Sequence, residues 1–333
     1  MTLSAAALDL HRRAFVADLH CDLLLTSRLV GWRWERRHRD NPFQGAPLFG
    51  HVDLPRLVEG GVSSLCLGLV TNPVWTAGGH REIQRYLDRM TAEIAAHPDL
   101  LTAPCCAAEA RAARAAGRIC CFAGLEGVHG LGDDLSPLAH WRAQGLLYVG
   151  LVHFSANRAA CPMVGWGADR DAGLTDFGRE LVDALGQLGL LVDVAHLGTG
   201  GLLEVCARSR LPVLSSHSSM NAVYRSRRGL EDAEALAIAR TGGLVGVIFA
   251  ASYLGGDDVT CVLDHLDHLK GVVGVEHCAL GSDWEGWVTY PRGLGSPAGL
   301  PALTDGLLRR GWSEEETLAV LGENFLRVLD QRG

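Results

Sequence analysis

Lysine is almost missing from this chain: Lys270 is the only one in 333 residues. It falls in a helix-forming stretch, so no lysine stands at the end of a predicted strand. Long apolar runs are missing as well, and no stretch reaches the roughly 18 to 20 residues that a membrane span needs. Met1–Phe15 carries Asp9, Arg12 and Arg13 and has no apolar segment of the signal-peptide kind, which points to a cytoplasmic protein. No CxxC spacing occurs among the ten cysteines. Cys66, Cys120, Cys121 and Cys278 fall inside apolar runs, where a thiol acts as a small hydrophobe, so reduced thiols are the simpler reading. The net charge is −8 and the arginines are dispersed, which argues against a nucleic-acid partner. Repeats, low-complexity tracts and linkers are absent.

What the chain does have is 48% hydrophobic residues and eight short apolar runs that read as strands. They are Phe15–Asp22, Val62–Thr71, Arg118–Glu126, Leu146–His153, Leu190–His196, Leu211–His217, Gly243–Ala250 and Cys278–Trp284. Helix-forming stretches alternate with them. Arg81–Ala96, Ala107–Ala116, Leu174–Leu188, Gly200–Ser209, Glu231–Thr241 and Val259–Val273 show helical spacing. Thr175 is a candidate N-cap, and Ser313 to Glu316 fits a capping box before Ser313–Leu321 and Asn324–Asp330. Alternating strands and helices predict an α/β fold, a (β/α)8 TIM barrel of roughly 250 residues. The rest of 1–333 is left for loop insertions at 23–51, 155–173 and 286–301 within a single domain. These follow strands 1, 4 and 8, so they should lie over the barrel mouth.

Six of the eight runs end in a residue that can bind metal or move a proton: His20 and Asp22, Glu126, His153, His196, His217 and Asp283. Such a barrel gathers its strand ends into one ring and places its active site there. His20 and Asp22 share a face of strand 1, because strand side chains alternate. Asp, Glu and neutral His suit zinc and related divalent ions. Ligand counting predicts two metals, with His20, Asp22 and Glu126 on one, and Glu126, His196 and His217 on the other. Lys270 cannot supply a carboxylated-lysine bridge, so Glu126 must bridge instead. Paired ions activate a water at neutral pH, and Asp283 remains as its proton acceptor and later donor.

Other residues carry blander readings. Cys21 should point away from His20 and Asp22 and serve packing. His265 and His268, beside Asp264 and Asp267, read as a solvated helix face. His129 reads as a supporting or loop-packing residue. Trp32 and Trp34 with Arg33, Arg36, Arg37 and Arg39 form either a substrate-contacting cluster or a solvated loop with aromatic anchors.

The segments Asp18-Leu-His-Cys-Asp22, Val52-Asp-Leu-Pro-Arg-Leu57 with Gly60-Gly-Val62, Glu126-Gly-Val-His129, Gly173 to Leu181, Asp193-Val-Ala-His196, Ser215-Ser-His-Ser-Ser219, Ser226-Arg-Arg228, Gly281 to Gly286 and Gly322 to Arg327 resemble the membrane (renal) dipeptidase family, peptidase family M19, within the amidohydrolase-like barrels. They follow the family order from residue 18 to 328. The resemblance implies a zinc dipeptidase with two Zn2+ per chain on His20, Asp22, Glu126, His196 and His217. It implies that His153 polarises the scissile carbonyl, that Arg228 grips the substrate's C-terminal carboxylate, that Asp283 shuttles the proton, and that Tyr253 contacts substrate. A homodimer and tolerance of a D-residue at the C-terminal position are implied too. The membrane anchor of the animal members has no counterpart in the sequence, which fits a bacterial, cytoplasmic protein. Val128 stands where glycine is usual, Gly229 where asparagine is common, and Trp284–Glu285 where Phe-Asp is usual. Val128 and Trp284 are expected to add bulk beside the site and to affect substrate choice. Two alternatives stay open: another amide or lactone hydrolase on the same centre, acting on an N-acyl-D-amino acid or a β-lactam, and a non-catalytic metal-binding protein.

Overall fold

A computed structural model describes residues 2–38, 50–71 and 78–332. All eight runs form strands: β1 (Val16–Cys21), β2 (Val62–Val70), β3 (Ile119–Glu126), β4 (Leu146–Gly150), β5 (Leu191–Asp193), β6 (Val213–Met220), β7 (Leu244–Val247) and β8 (Cys278–Leu280). They pair in parallel and in chain order. Beyond β8 the ring closes where Asp22 N donates to Trp284 O at 2.8 Å and Asp283 N donates to His20 O at 3.0 Å. Parallel neighbours need long crossovers, and helices such as Gly79–Ala96, Asp176–Gln187, Thr199–Arg208, Asp232–Arg240 and Val259–Val273 provide them. The Thr175 hydroxyl accepts from Gly178 N, and Ser313 with Glu316 forms the capping box.

Leu19, Cys66, Phe122, Tyr148, Leu191, Leu214, Leu244 and Ala279, one from each strand, share one buried cluster. The C-terminal helix Asn324–Gln331 covers it with Phe325, Leu326, Val328 and Leu329. Asn324 donates to the carbonyls of Val275 and Cys278, and Arg327 to those of Gly242 and Glu276, all at the start of β7 or β8. The opposite face, at the strand C-terminal ends, is left for the site. Two glycines make room there. A Cβ on Gly124 would lie 2.0 Å from the Tyr148 ring, and one on Gly68 would lie 2.3 Å from Asp22 Oδ1.

Several expectations are corrected. Leu23–Val30 is a helix rather than irregular chain, ended by Gly31 at φ 65°. Leu54–Glu59, Pro137–Ala143 and Leu300–Arg309 are further helices that the periodicity did not mark. The first two are only 6 and 7 residues long, too short to develop a pattern. His217 is not at a strand end, because β6 continues to Met220 and pairs with Gly229–Leu230. His265 is not solvated but fully buried. Its Nδ1 accepts from Met220 N at 2.9 Å, so Nε2 carries the proton toward Leu254 O. His268 is half-buried against Asp232 at 2.7 Å.

In the first excursion, Trp34 is buried and donates to Ser27 Oγ, Trp32 donates to Val52 O, and Arg33 and Arg37 pair with Glu35 and Glu59. The tryptophans are therefore anchors; Arg39 lies outside the described residues. Among the described residues no helix is long and apolar enough to cross a membrane.

Candidate metal centre and active site

Glu126 ends β3 and stands at the middle of the site. Its Oε1 lies 2.9 Å from His196 Nε2, 3.6 Å from His217 Nε2 and 3.5 Å from His153 Nε2. Its Oε2 lies 3.6 Å from His20 Nε2. His20 Nε2 is in turn 3.5 Å from Asp22 Oδ1 and 4.0 Å from Asp283 Oδ1. The barrel thus brings together all seven strand-end residues named from the sequence. His153, His196 and Asp283 each lie three residues beyond the last paired residue of their strand. His196 and Asp283 take left-handed backbone angles, φ 67° and 60°. Such angles are uncommon for non-glycine residues and gather at functional sites.

Three buried atoms here, His20 Nε2, Asp22 Oδ1 and Glu126 Oε2, have no hydrogen-bond partner. A buried polar atom left without a partner costs free energy, and a cation between these three would remove that cost. Burial lowers the proton affinity of His20, but the Tyr148 oxygen and the Glu126 and Asp22 carboxylates more than reverse this. The carboxylate charge that draws a proton to His20 would equally draw a metal ion. Burial opposes the Glu126 carboxylate, yet His153, His20 and His196 hold its pKa well below the usual range. Burial, with Arg228 nearby, keeps His196 and His217 neutral, the form that can ligate.

Ring protons are fixed by two hydroxyls that the sequence reading passed over. Tyr148 Oη donates to Leu19 O at 2.9 Å, so toward His20 Nδ1, also at 2.9 Å, it can only accept. Ser216 Oγ donates to Asp193 Oδ2 at 2.6 Å, so it accepts from His217 Nδ1 at 2.9 Å. Both histidines then carry Nδ1–H, which leaves Nε2, facing the centre, as the nitrogen that could hold a metal ion, the usual support for metal-ligating histidine. This donor set, with its orphaned atoms, is that of a metal-binding centre.

Asp18, next in the first motif, closes the barrel at the site. It accepts from Ser282 N and Oγ at 2.7 and 2.5 Å and from His20 N at 3.3 Å. His129 holds Ser155 O at 3.0 Å and stays behind the centre. Cys21 is buried in the apolar layer with Leu23 and Trp284, away from the ligands.

A cavity of about 370 Å³ opens over the centre. Asp22, Glu126, His153, His196, Arg228, Tyr253 and Asp283 line it together with Leu25, Leu29, Val70, Phe154, Gly286, Trp287 and Val288. Arg228 is 2% exposed, donates from Nη2 to His217 O at 3.2 Å, and keeps a buried Nε without a partner. Burial pushes the Asp283 pKa well above the usual carboxylate range, reinforced by Asp22 and Glu126. Val128 and Trp284 do not add bulk to this cavity, contrary to expectation. The Trp284 ring lies against Phe249 and its Nε1 donates to Leu294 O, while Val128 faces a separate pocket.

The membrane dipeptidase model, peptidase family M19, matches residues 4–332. A curated relative, Dipeptidase 3 of Macaca fascicularis, is 32% identical over 221 residues, 64% of this chain; the matched part spans 45% of that relative's length. Among solved structures, the family M19 metallopeptidase dipeptidase AC is 28% identical with a TM-score of 0.85, covering 96% of this chain and 98% of that one. A metallopeptidase of Rhodobacter sphaeroides liganded with a phosphinate mimic of L-Ala-D-Ala is 27% identical with a TM-score of 0.84, covering 96% and 99%. With motifs, fold and centre in agreement over nearly its whole length, the chain belongs to the membrane dipeptidase family, peptidase family M19.

Proposed function

We propose that the protein is a dipeptidase whose centre takes two zinc ions, His20, Asp22 and Glu126 serving one and Glu126, His196 and His217 the other. The observation that carries this is a buried two-oxygen carboxylate, Glu126, with ligand atoms on both sides, its own Oε2 left without a partner along with His20 Nε2 and Asp22 Oδ1. Two such ions would supply a water activated at neutral pH and Lewis acidity toward a carbonyl. The remaining work falls to the chain. Asp283, with its raised proton affinity, takes the proton of the attacking water and passes it to the departing amine. His153, at the cavity wall, donates to the carbonyl oxygen as negative charge develops there. The Arg228 guanidinium, buried and with a free Nε–H, receives the substrate's C-terminal carboxylate. Tyr253 lines the same side. A D-residue at the C-terminal position belongs to this proposal, supported by the relative liganded with the L-Ala-D-Ala mimic.

The test compares free and C-terminally amidated dipeptides. Arg228→Ala should reduce kcat/KM on free dipeptides by about 10- to 150-fold, the loss of one charged hydrogen bond of roughly 1.5–3 kcal/mol, and leave the amidated ones little changed. Equal loss on both would make Arg228 structural. Hydrolysis of N-acyl-D-amino acids or β-lactams in preference to any dipeptide would replace this reading with the broader amide hydrolase.

A further inference from the structure

The cavity has two chemically different sides, and the ring order of the strands separates them. Arg228 follows β6 and Tyr253 follows β7. Leu25 and Leu29 follow β1, Val70 ends β2, and Trp287 and Val288 follow β8. In a ring of eight strands β6 stands opposite β2. A dipeptide has only two residues. Once its carboxylate is at Arg228, its amino-terminal residue must extend across the centre toward the β8–β1–β2 side. Apart from Asp22 and Asp283 at the centre, the lining on that side is an apolar wall, larger than the apolar surface that Phe154, 40% exposed, adds after β4. Leu29 is 49% and Trp287 50% exposed, and Leu25, Val70 and Val288 are half-buried. Exposed apolar surface inside a substrate cavity gains most from an apolar group laid on it.

Trp287 is held in place. It has a left-handed backbone, φ 62°, which a bulky residue rarely adopts, and so does Glu285 at φ 67°. The turn is pinned on both sides. Glu285 is buried and accepts from His51 N, Val52 N, Gly50 N and Thr26 Oγ1. Tyr290 donates to Asp283 O at 2.8 Å.

We propose that this wall selects dipeptides whose amino-terminal residue has a large apolar side chain, with Trp287 and Leu29 as the specificity-determining contacts. The inference rests on the dipeptidase reading above. It is tested on zinc-loaded protein with a series Xaa-D-Ala and Xaa-L-Ala, Xaa being Gly, Leu, Phe, Asp or Lys. Leu and Phe should exceed Gly in kcat/KM by about 10- to 200-fold, the usual range for apolar pocket discrimination, with Asp and Lys lowest. Trp287→Ala and, separately, Leu29→Ser should each shrink the Leu/Gly ratio severalfold. Calorimetric binding of phosphinate dipeptide mimics bearing Leu or Gly at the amino-terminal position should show the same ratio and the same shrinkage without turnover. Equal rates across the series, a preference for Gly, Asp or Lys, or ratios unchanged in both variants would overturn the wall while leaving the dipeptidase standing. No cleavage of any dipeptide, beside good cleavage of another amide, would overturn both.

Discussion

Glu126 shows at the scale of one residue how the centre is divided: Oε2 faces His20 and Oε1 faces His196 and His217. In the proposed two-ion centre, Glu126→Gln would remove one anionic oxygen from the shared carboxylate, so both ions should bind more weakly. Metal analysis during chelator competition reads this directly; two ions held at wild-type affinity would end the bridging assignment. Asp283 differs, since its proton affinity is raised by burial and by two neighbouring carboxylates. Asp283→Asn keeps the shape but cannot take a proton, so kcat should fall by about 10² to 10⁴. Metal content and affinity for a phosphinate mimic should stay near normal; loss of a metal would recast Asp283 as a ligand. Tyr148→Phe strands His20 Nδ1 without an acceptor. Its expected cost is about 10- to 100-fold in zinc affinity, as for other supporting groups around a metal. Unchanged affinity would mean that the tyrosine only fills space.

At the scale of elements, the turn after β8 ties the first excursion to the barrel. Glu285 gathers four donors from residues 26 and 50–52. Asp53 caps Leu54–Glu59 and pairs at 2.7 Å with Arg56, which also reaches the Gly50 and His38 carbonyls. A glutamate in place of the family's usual aspartate therefore has a structural account: its carboxylate reaches the backbone N–H groups of residues 50–52. Glu285→Ala leaves those donors without their acceptor. Proteolysis near residues 50–52 should become faster, and KM should rise more than kcat falls because the Trp287 wall sits in the same turn. Protection equal to wild type would show that other contacts hold the excursion.

For the whole molecule, His265 gives a pH dependence whose sign follows from its hydrogen bonds. Burial lowers its pKa to about 4 from the ordinary 6.5, and a second ring proton would confront Met220 N–H. The unfolded chain takes up that proton first as pH falls. The stabilisation is therefore complete above about pH 6.5 and is lost progressively toward pH 4. His265→Gln can keep both hydrogen bonds without titrating. Urea unfolding across this window should show wild type losing up to about 1.4 kcal/mol per pH unit more than the variant; parallel slopes would remove His265 from the acid response. We further propose the homodimer that the family resemblance implies, checked by light scattering on the eluting protein, where a monomer mass would refute it.

Parallel strands buried on both faces read as continuous apolar runs, which is why all eight were legible in order, with the site residues of six runs at or near their ends and His217 inside β6. Local chemistry also sufficed for the Thr175 cap, the capping box and the inference that Lys270 could bridge nothing. Three things were decided only by tertiary structure. The hydroxyls on His20 and His217 come from Tyr148 on β4 and Ser216 on β6, and the acceptors that orient them are Leu19 O and Asp193. His265 looks solvated by helical spacing but is buried against β6 and the Leu254 carbonyl. Trp284 and Trp287 lie three residues apart, yet one is fully buried and the other half-exposed at the cavity. The reason is common to all three. Sequence periodicity reports which face of an element is apolar, while the partner that meets a given side chain is set by closure of the ring, which joins residues as distant as Asp18 and Ser282.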